Sequence, residues 1–252
     1  MVLQAQEGRL TTSAARILVV TAVPAERDAV ARAFPDGTAE EVRLPGQVPL
    51  LRAAGGYDLL AAGVGPALAA AGTATALTAA ALDGRPYALV VSAGIAGGFQ
   101  PEAPVGSLVV ADEITAADLG AETADGFLPV TELGFGTVSH RPQNSLVRVM
   151  AQATGARPGA VLTVSTVTGT AARAAALRTR HPGALAEAME GFGVAEAAVA
   201  HGVPVLELRA VSNPVGPRDR AAWRIGDALA ALTEAFGKLV PALESWNPHD
   251  HR

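Results

Sequence analysis

Six short runs rich in valine, leucine and isoleucine recur along the 252-residue chain: RILVVTA (16–22), YDLLAAG (57–63), YALVVSA (87–93), GSLVVADEI (106–114), AVLTVS (160–165) and VPVLELRAVS (203–212). Cores such as LVV lack the in-and-out alternation of a half-solvated strand, so they predict strands buried on both faces. Between them lie PAERDAVARAF, PALAAAGTATALTAAAL, QNSLVRVMAQATG, EAMEGFGVAEAAVAHG and DRAAWRIGDALAALTEAFGKLV, each with helical composition or periodicity. Strands alternating with helices, and needing cover on both faces, predict an α/β chain. The expected form is a three-layer αβα sandwich around a central mixed, largely parallel sheet.

Half of the residues are hydrophobic and 17% are charged, which is material enough to bury roughly 70 to 75% of the unfolded surface and excludes extended disorder. One domain over 15–245 is expected, with 1–14 as a loose leader and 246–252 as a polar tail. The longest irregular stretch, 118–143, is expected to form a flap or an interface. Leu59–Leu82 is uncharged and long enough to span a bilayer. It is mostly Ala, Gly and Thr, however, with Pro66 between glycines, and reads as a buried strand, a turn and an Ala-rich helix.

A net charge of −5 provides no field for nucleic acid or an anionic membrane, so neither is an expected partner. The absence of cysteine excludes disulfides, thiolate nucleophiles and cysteine zinc sites, and suits a reducing compartment, with the cytoplasm the simplest address. His140, His181, His201, His249 and His251 show no metal-binding spacing, so no metal is expected, nor any other cofactor. No G-x-S-x-G elbow marks a serine hydrolase, and no G-x-G-x-x-G follows the first strand.

Glu26 falls about one turn into the helix that Pro24 opens, beyond the carboxyl end of the first strand, where ligands of α/β sheets bind. It either complements the helix N-terminus or serves a site. Gly63-Val64-Gly65 and the segment Gly94-Ile95-Ala96-Gly97-Gly98 also follow strands, where backbone N–H groups can approach a ligand or a tight turn can pack. AEAMEGFGVAEAAVAHG is expected to be a helix with Glu187 and Glu196 on its solvated face. Glu190, among small residues, needs a partner: substrate hydroxyls or a buried arginine such as Arg209. Ser212-Asn213 ends the last strand, where the amide can read a heterocycle or open the Asn-Pro turn.

Taken together, AVPAERDAV, AAGVGPALAA, SAGIAGG, VGSLVVADE, AMEGFG and RAVSN resemble, in order and spacing, the nucleoside phosphorylase and nucleosidase family, from Arg16 to about Val240. The resemblance implies a small-molecule purine nucleoside as partner and a homodimer or larger homo-oligomer. It places Met189 and Glu190 on the ribose, Asn213 on the base, and Glu26 where nucleosidases keep the carboxylate that activates water. Val64, Ala96, Gly97, Gly169, Thr170, Arg209 and Ser212 complete the expected binding set.

Phosphorylases of the family bring arginines to phosphate, whereas the turns here read TAVPAE and SAGIAGG, so water is the expected nucleophile. Adenine-specific members carry Asp where this chain has Asn213; the amide suits the 6-oxo group and protonated N7 of hypoxanthine. Ile95 replaces a serine of the adenine nucleosidases, and STVTGT resembles hydrolases that release hypoxanthine. For a distant carboxylate on the substrate, Arg218, Arg220 and Arg141 are candidates. The alternatives are a nucleosidase for methylthioadenosine, adenosylhomocysteine or the 6-amino counterpart of the 6-oxopurine substrate, a phosphorylase, and a purine-nucleoside binding protein without chemistry.

Overall fold

The computed structural model describes residues 15–34 and 40–244. The expected leader and tail, with His249 and His251, lie outside the described residues.

In chain order the elements are β1 (Ile17–Thr21), α1 (Pro24–Ala31), β2 (Glu40–Arg43), β3 (Pro49–Arg52), β4 (Tyr57–Ala61), α2 (Pro66–Leu82), β5 (Leu89–Gly98), β6 (Leu108–Ala116), β7 (Gly120–Thr123), β8 (Gly126–Pro129), β9 (Ser139–His140), α3 (Asn144–Thr154), β10 (Arg157–Thr163), α4 (Ala171–Arg180), β11 (Ala184–Ala188), α5 (Gly191–Ala200), β12 (Val205–Pro214) and α6 (Ile225–Glu244). The main sheet runs β11-β10-β6-β12-β5-β1-β4-β3-β2. Its middle is parallel from β4 through β1 and β5 to β12, and β12 meets β6 antiparallel. The sheet is therefore mixed, as expected. It also curls: β11 pairs β10 on one side and the end of β5 on the other, closing a ring of β5, β12, β6, β10 and β11.

Alternation along the buried strands divides the core into two. Leu18, Val20 and Val90 face Ala69, Ala76, Leu77, Val194 and Ala198 of α2 and α5. Ile17, Val19, Leu89 and Val91 face Val30, Leu146, Met150, Leu232 and Phe236 of α1, α3 and α6. This is the period-two geometry of strands sandwiched between helices. Helix α2 spans the predicted PALAAAGTATALTAAAL, starting at Pro66, whose fixed φ suits a first helical position. Within Leu59–Leu82 the chain forms β4 and α2, and no helix among the described residues is long and apolar enough to cross a membrane.

Three expectations need correction. The helix expected from Glu187 begins only at Gly191; ALAEA before it is a fully buried strand, because pairing with both β10 and β5 outweighs the helical preference of alanine and glutamate. Glu187 is therefore buried, at 5% exposure, and not on a solvated face, whereas Glu196 is exposed and pairs with His140. The expected helix from Asp219 starts at Ile225 after a short 3-10 turn. Finally, 118–143 is less irregular than expected: it holds the β7–β8 hairpin and β9, which pairs β6.

Phe236 is fully buried on α6, whereas Leu82 is 84% exposed at the end of α2. Phe236→Ala is expected to lower unfolding free energy by roughly 3–5 kcal/mol through lost burial and the cavity left behind. Leu82→Ala should stay within about 0.5 kcal/mol of the parent. Urea unfolding of the two variants checks this contrast.

Candidate active site

The carboxyl ends of β1, β5, β11 and β12 surround a cavity of about 260 Å³. Its wall includes Glu26, Val64, Ile95, Ala96, Gly97, Met189, Glu190, Ser212 and Asn213. The location agrees with the general rule that open α/β sheets bind ligands beyond their strand ends.

Glu26 stands at the third position of α1, but its carboxylate turns back toward the strand ends. Oε2 accepts from the backbone N–H groups of Ala22 at 3.0 Å and Val23 at 3.3 Å, and Oε1 accepts from Ile95 at 2.9 Å. The backbone of Ile95 thus supplies a contact to which its side chain is irrelevant. Burial raises the Glu26 pKa, opposed by the Arg209 charge and the Ile95 N–H and reinforced by the negative charge of Glu190. The result is a fixed carboxylate on the cavity wall with increased affinity for a proton.

Beneath this wall lies Arg209, 1% exposed. It stands opposite Gly94 in the β12–β5 register. A Cβ at Gly94 would come within 2.7 Å of both the Arg209 guanidinium and the Glu26 carboxylate, so the absence of a side chain there lets the two charges approach. Arg209 donates from Nε to Glu207 Oε1 at 2.7 Å, from Nη1 to Glu190 Oε2 at 3.4 Å and from Nη2 to Ser92 Oγ at 3.2 Å. Burial acts to lower the Arg209 pKa, but Glu207, Glu190 and Glu26 together outweigh it and hold the guanidinium more firmly protonated.

Glu207 is fully buried, and burial pushes its pKa up against the attraction of Arg209. Its Oε2 has no hydrogen-bond partner among the described residues. A Cβ on Gly191 would sit 2.3 Å from both Glu207 oxygens, which explains the glycine directly after Met189-Glu190. Glu190 itself closes the other side of the cluster. Its Oε1 accepts from the Gly65 N–H at 3.2 Å, and Oε2 accepts from Met189 N–H at 3.3 Å as well as from Arg209. Arg209, not only a substrate, is thus the partner this carboxylate needs.

Asn213 has its amide fixed by its neighbours. Nδ2 donates to the Pro214 carbonyl at 3.0 Å, and Oδ1 accepts from Ser212 Oγ at 2.8 Å. A carbonyl can only accept, so the amide nitrogen must face Pro214. One N–H and one lone pair remain for a ligand. On β11, Glu187 also lines the cavity; Oε1 accepts from Thr168 N at 2.8 Å and Oε2 from Thr168 Oγ1 at 2.5 Å. Burial raises the Glu187 pKa, and these two donations oppose it.

Of the expected residues, Glu26, Val64, Ala96, Gly97, Met189, Glu190, Ser212 and Asn213 share the cavity wall. Gly169 and Thr170 do not: Thr170 caps α4, accepting from Arg173 N at 3.1 Å, and Val167 and Thr168 line the cavity in their place. Arg209 lies behind the wall. Among the arginines proposed for a distant carboxylate, Arg218 lines the cavity beside Trp223, with its guanidinium 5.2 Å from the indole centroid. Arg141 pairs instead with Glu113, and the Arg220 guanidinium lies 5.7 Å from the Trp223 ring centroid. Glu187, Glu207, Thr168 and Trp223 were not anticipated as parts of the site. Glu207 was findable, because Glu and Arg two apart in a buried strand share a face. No group of three or more metal-ligating side chains is placed to hold an ion among the described residues.

The chain is similar to known proteins over most of its length. The chain is 80% identical over 235 residues to the futalosine hydrolase of Streptomyces coelicolor, covering 93% of this chain and 99% of the relative. It is 50% identical over 163 residues to that of Acidothermus cellulolyticus, covering 63% of this chain and 66% of the relative. The methylthioadenosine/adenosylhomocysteine nucleosidase of Colwellia psychrerythraea, solved with adenine, superposes with a TM-score of 0.76 at 20% identity, over 91% of this chain and 96% of that one. A mutant futalosine hydrolase of Helicobacter pylori superposes with 0.75 at 18% identity, over 90% and 99%. Residues 16–243 match the family model of the phosphorylase superfamily, and the chain belongs to that superfamily.

Proposed function

We propose that the chain hydrolyses the N-glycosidic bond of futalosine, releasing hypoxanthine and leaving dehypoxanthine futalosine, a step of menaquinone biosynthesis. The substrate follows from the 80% identity to the Streptomyces coelicolor relative. The reaction class rests on one observation: Glu26 and Glu190 face the same cavity, each held by backbone N–H groups, beside Asn213. The absence of cysteine suits a cytoplasmic enzyme, and the family resemblance implies a homo-oligomer.

Breaking the C1′–N9 bond makes the ribose cationic and the purine anionic, so both ends need electrostatic help. Glu26 takes a proton from water as the water oxygen bonds to C1′. Glu190 accepts from a ribose hydroxyl with the Oε1 lone pair that Gly65 leaves free, and its charge favours the oxocarbenium ion. The electron pair of the broken bond passes into hypoxanthine, which takes a proton from solvent; Asn213 donates to O6 and accepts from N7–H. Arg218 and Trp223 suit the carboxyphenyl end, by ion pairing and ring contact.

Water is favoured over phosphate by charge. Three carboxylates stand around one guanidinium that Glu207 and Glu190 already pair with, so an anionic nucleophile would meet net repulsion without a free clamp.

Purine release from futalosine, inosine and methylthioadenosine tests the substrate. Hypoxanthine from futalosine, well above release from the other two, is expected. Adenine from methylthioadenosine would instead make the chain a methylthioadenosine nucleosidase, and tight binding without release would make it a binding protein. Glu26→Gln is expected to reduce kcat by about 10²–10⁴ with substrate binding retained. Glu26 acts only when ionised, and its pKa lies above the ordinary glutamate value of 4.5. The parent kcat/KM should therefore fall as pH decreases through a midpoint above 4.5, and that limb should be missing from the residual activity of the variant.

A further inference from the structure

Glu187 and Asn213 belong to strands on opposite sides of β5, yet both pair with the same residue. Gly97 is the register partner of Glu187 in β11 and of Asn213 in β12. The three therefore form one row across neighbouring strands, with the outer Cα atoms about 10 Å apart, or two interstrand spacings. Gly97 has no side chain, and the space a Cβ would take lies 3.0 Å from Val215 Cγ2 and 3.4 Å from Asn213 Nδ2, so Val215 floors the gap; all four residues line the cavity. The row is a slot with an amide on one side and a carboxylate on the other.

The carboxylate is an unusual wall for such a slot. Glu187 is 5% exposed; the Arg173 charge acts on it and the Asp118 charge opposes that, while its hydrogen bonds come from Thr168. Thr168, itself buried, supplies one donor to each oxygen. Each oxygen keeps a further lone pair, and a buried carboxylate with spare lone pairs is costly unless a ligand donates to them.

We infer that Glu187 reads the base, accepting a hydrogen bond from N1–H of a 6-oxopurine while Asn213 binds the O6 and N7 edge. This rests on the proposed hydrolysis of a hypoxanthine nucleoside and names what selects the base. Hypoxanthine presents O6 as an acceptor beside N1–H as a donor, matching an amide N–H beside a carboxylate. Adenine reverses both, with an amino donor beside an N1 lone pair. Its N1 would face the carboxylate with no hydrogen between them, and that repulsion is an element of selectivity in itself. Glu187 thereby contributes acceptance of one base and rejection of the other.

Glu187→Gln converts the acceptor into a donor. The Thr168 N–H holds the new amide oxygen, the amide nitrogen donates to Thr168 Oγ1, and its second N–H faces the cavity, where adenine N1 can accept it. The test is kcat/KM for futalosine and for its 6-amino counterpart, with parent and variant side by side. The parent should prefer futalosine, and in the variant futalosine should lose about 10–150-fold, the worth of a hydrogen bond to a charged group. The 6-amino substrate should gain relative to it by at least about 10-fold. An unchanged ratio overturns the assignment, since a structural role would depress both substrates together.

A second measurement requires no variant. Hypoxanthine should bind the parent at least about 10-fold more tightly than 1-methylhypoxanthine, which lacks N1–H. Equal binding of the two overturns the assignment even if Glu187→Gln fails to fold. The two readings fail separately. A parent that releases no hypoxanthine from futalosine takes down the function and this assignment with it, whereas release with an unchanged ratio takes down Glu187 alone.

Discussion

Arg209 is a guanidinium with 1% exposure set among three carboxylates, and the site is built around that charge. Taking such ions out of water costs several kcal/mol each unless geometry and hydrogen bonds compensate. The fold supplies that compensation through short residues and backbone donors: Gly94 and Gly191 leave room for Glu26 and Glu207, and Ser92 takes a third guanidinium N–H. Gly65, Met189, Ala22, Val23 and Ile95 direct their N–H groups at the carboxylates. Each donor comes from a strand end or the turn after it, so the cluster depends on how the strands are ordered and on how far each extends.

That cluster divides the work at the cavity wall. Glu207 pairs with Arg209 from below, through Nε, and never reaches the cavity. Glu190 touches both the guanidinium and the cavity, and Glu26 is attached mainly to backbone. One positive charge shared among three negative ones leaves the floor electronegative. In the proposed hydrolysis such a floor attracts a developing oxocarbenium ion and repels phosphate, and burial raises the proton affinity of Glu26, the proposed base. The proposed cationic sugar, neutral nucleophile and general base thus draw on one arrangement of charge.

Much of this was readable from the sequence, for reasons that differ by element. Strands such as ILVVT and the whole of α2 announced themselves by unbroken apolar runs and by Pro66 at a helix start. β11 did not, because ALAEA has helical composition and becomes a strand only through its two partners. The same error put Glu187 on a solvated face, although it lines the cavity. Glu26, Glu190 and Asn213, which the sequence reading groups together, share one cavity wall, since the strand ends carry them to one location. Gly169 and Thr170 were misplaced by only one or two positions, in a loop whose path is set by the capping of α4. Arg209 is only one of two partners that the sequence offers Glu190, beside substrate hydroxyls, and the larger cluster escapes notice because Glu207 acquires its partner in space two residues along one strand face.

The claim that this charge arrangement selects water is tested most directly by running the reaction in ¹⁸O-labelled water with phosphate present, and identifying the sugar product by mass spectrometry. The charge cluster predicts ¹⁸O at the anomeric carbon, no sugar phosphate, and a rate indifferent to phosphate. A sugar 1-phosphate as the product, with no label from water, would contradict it.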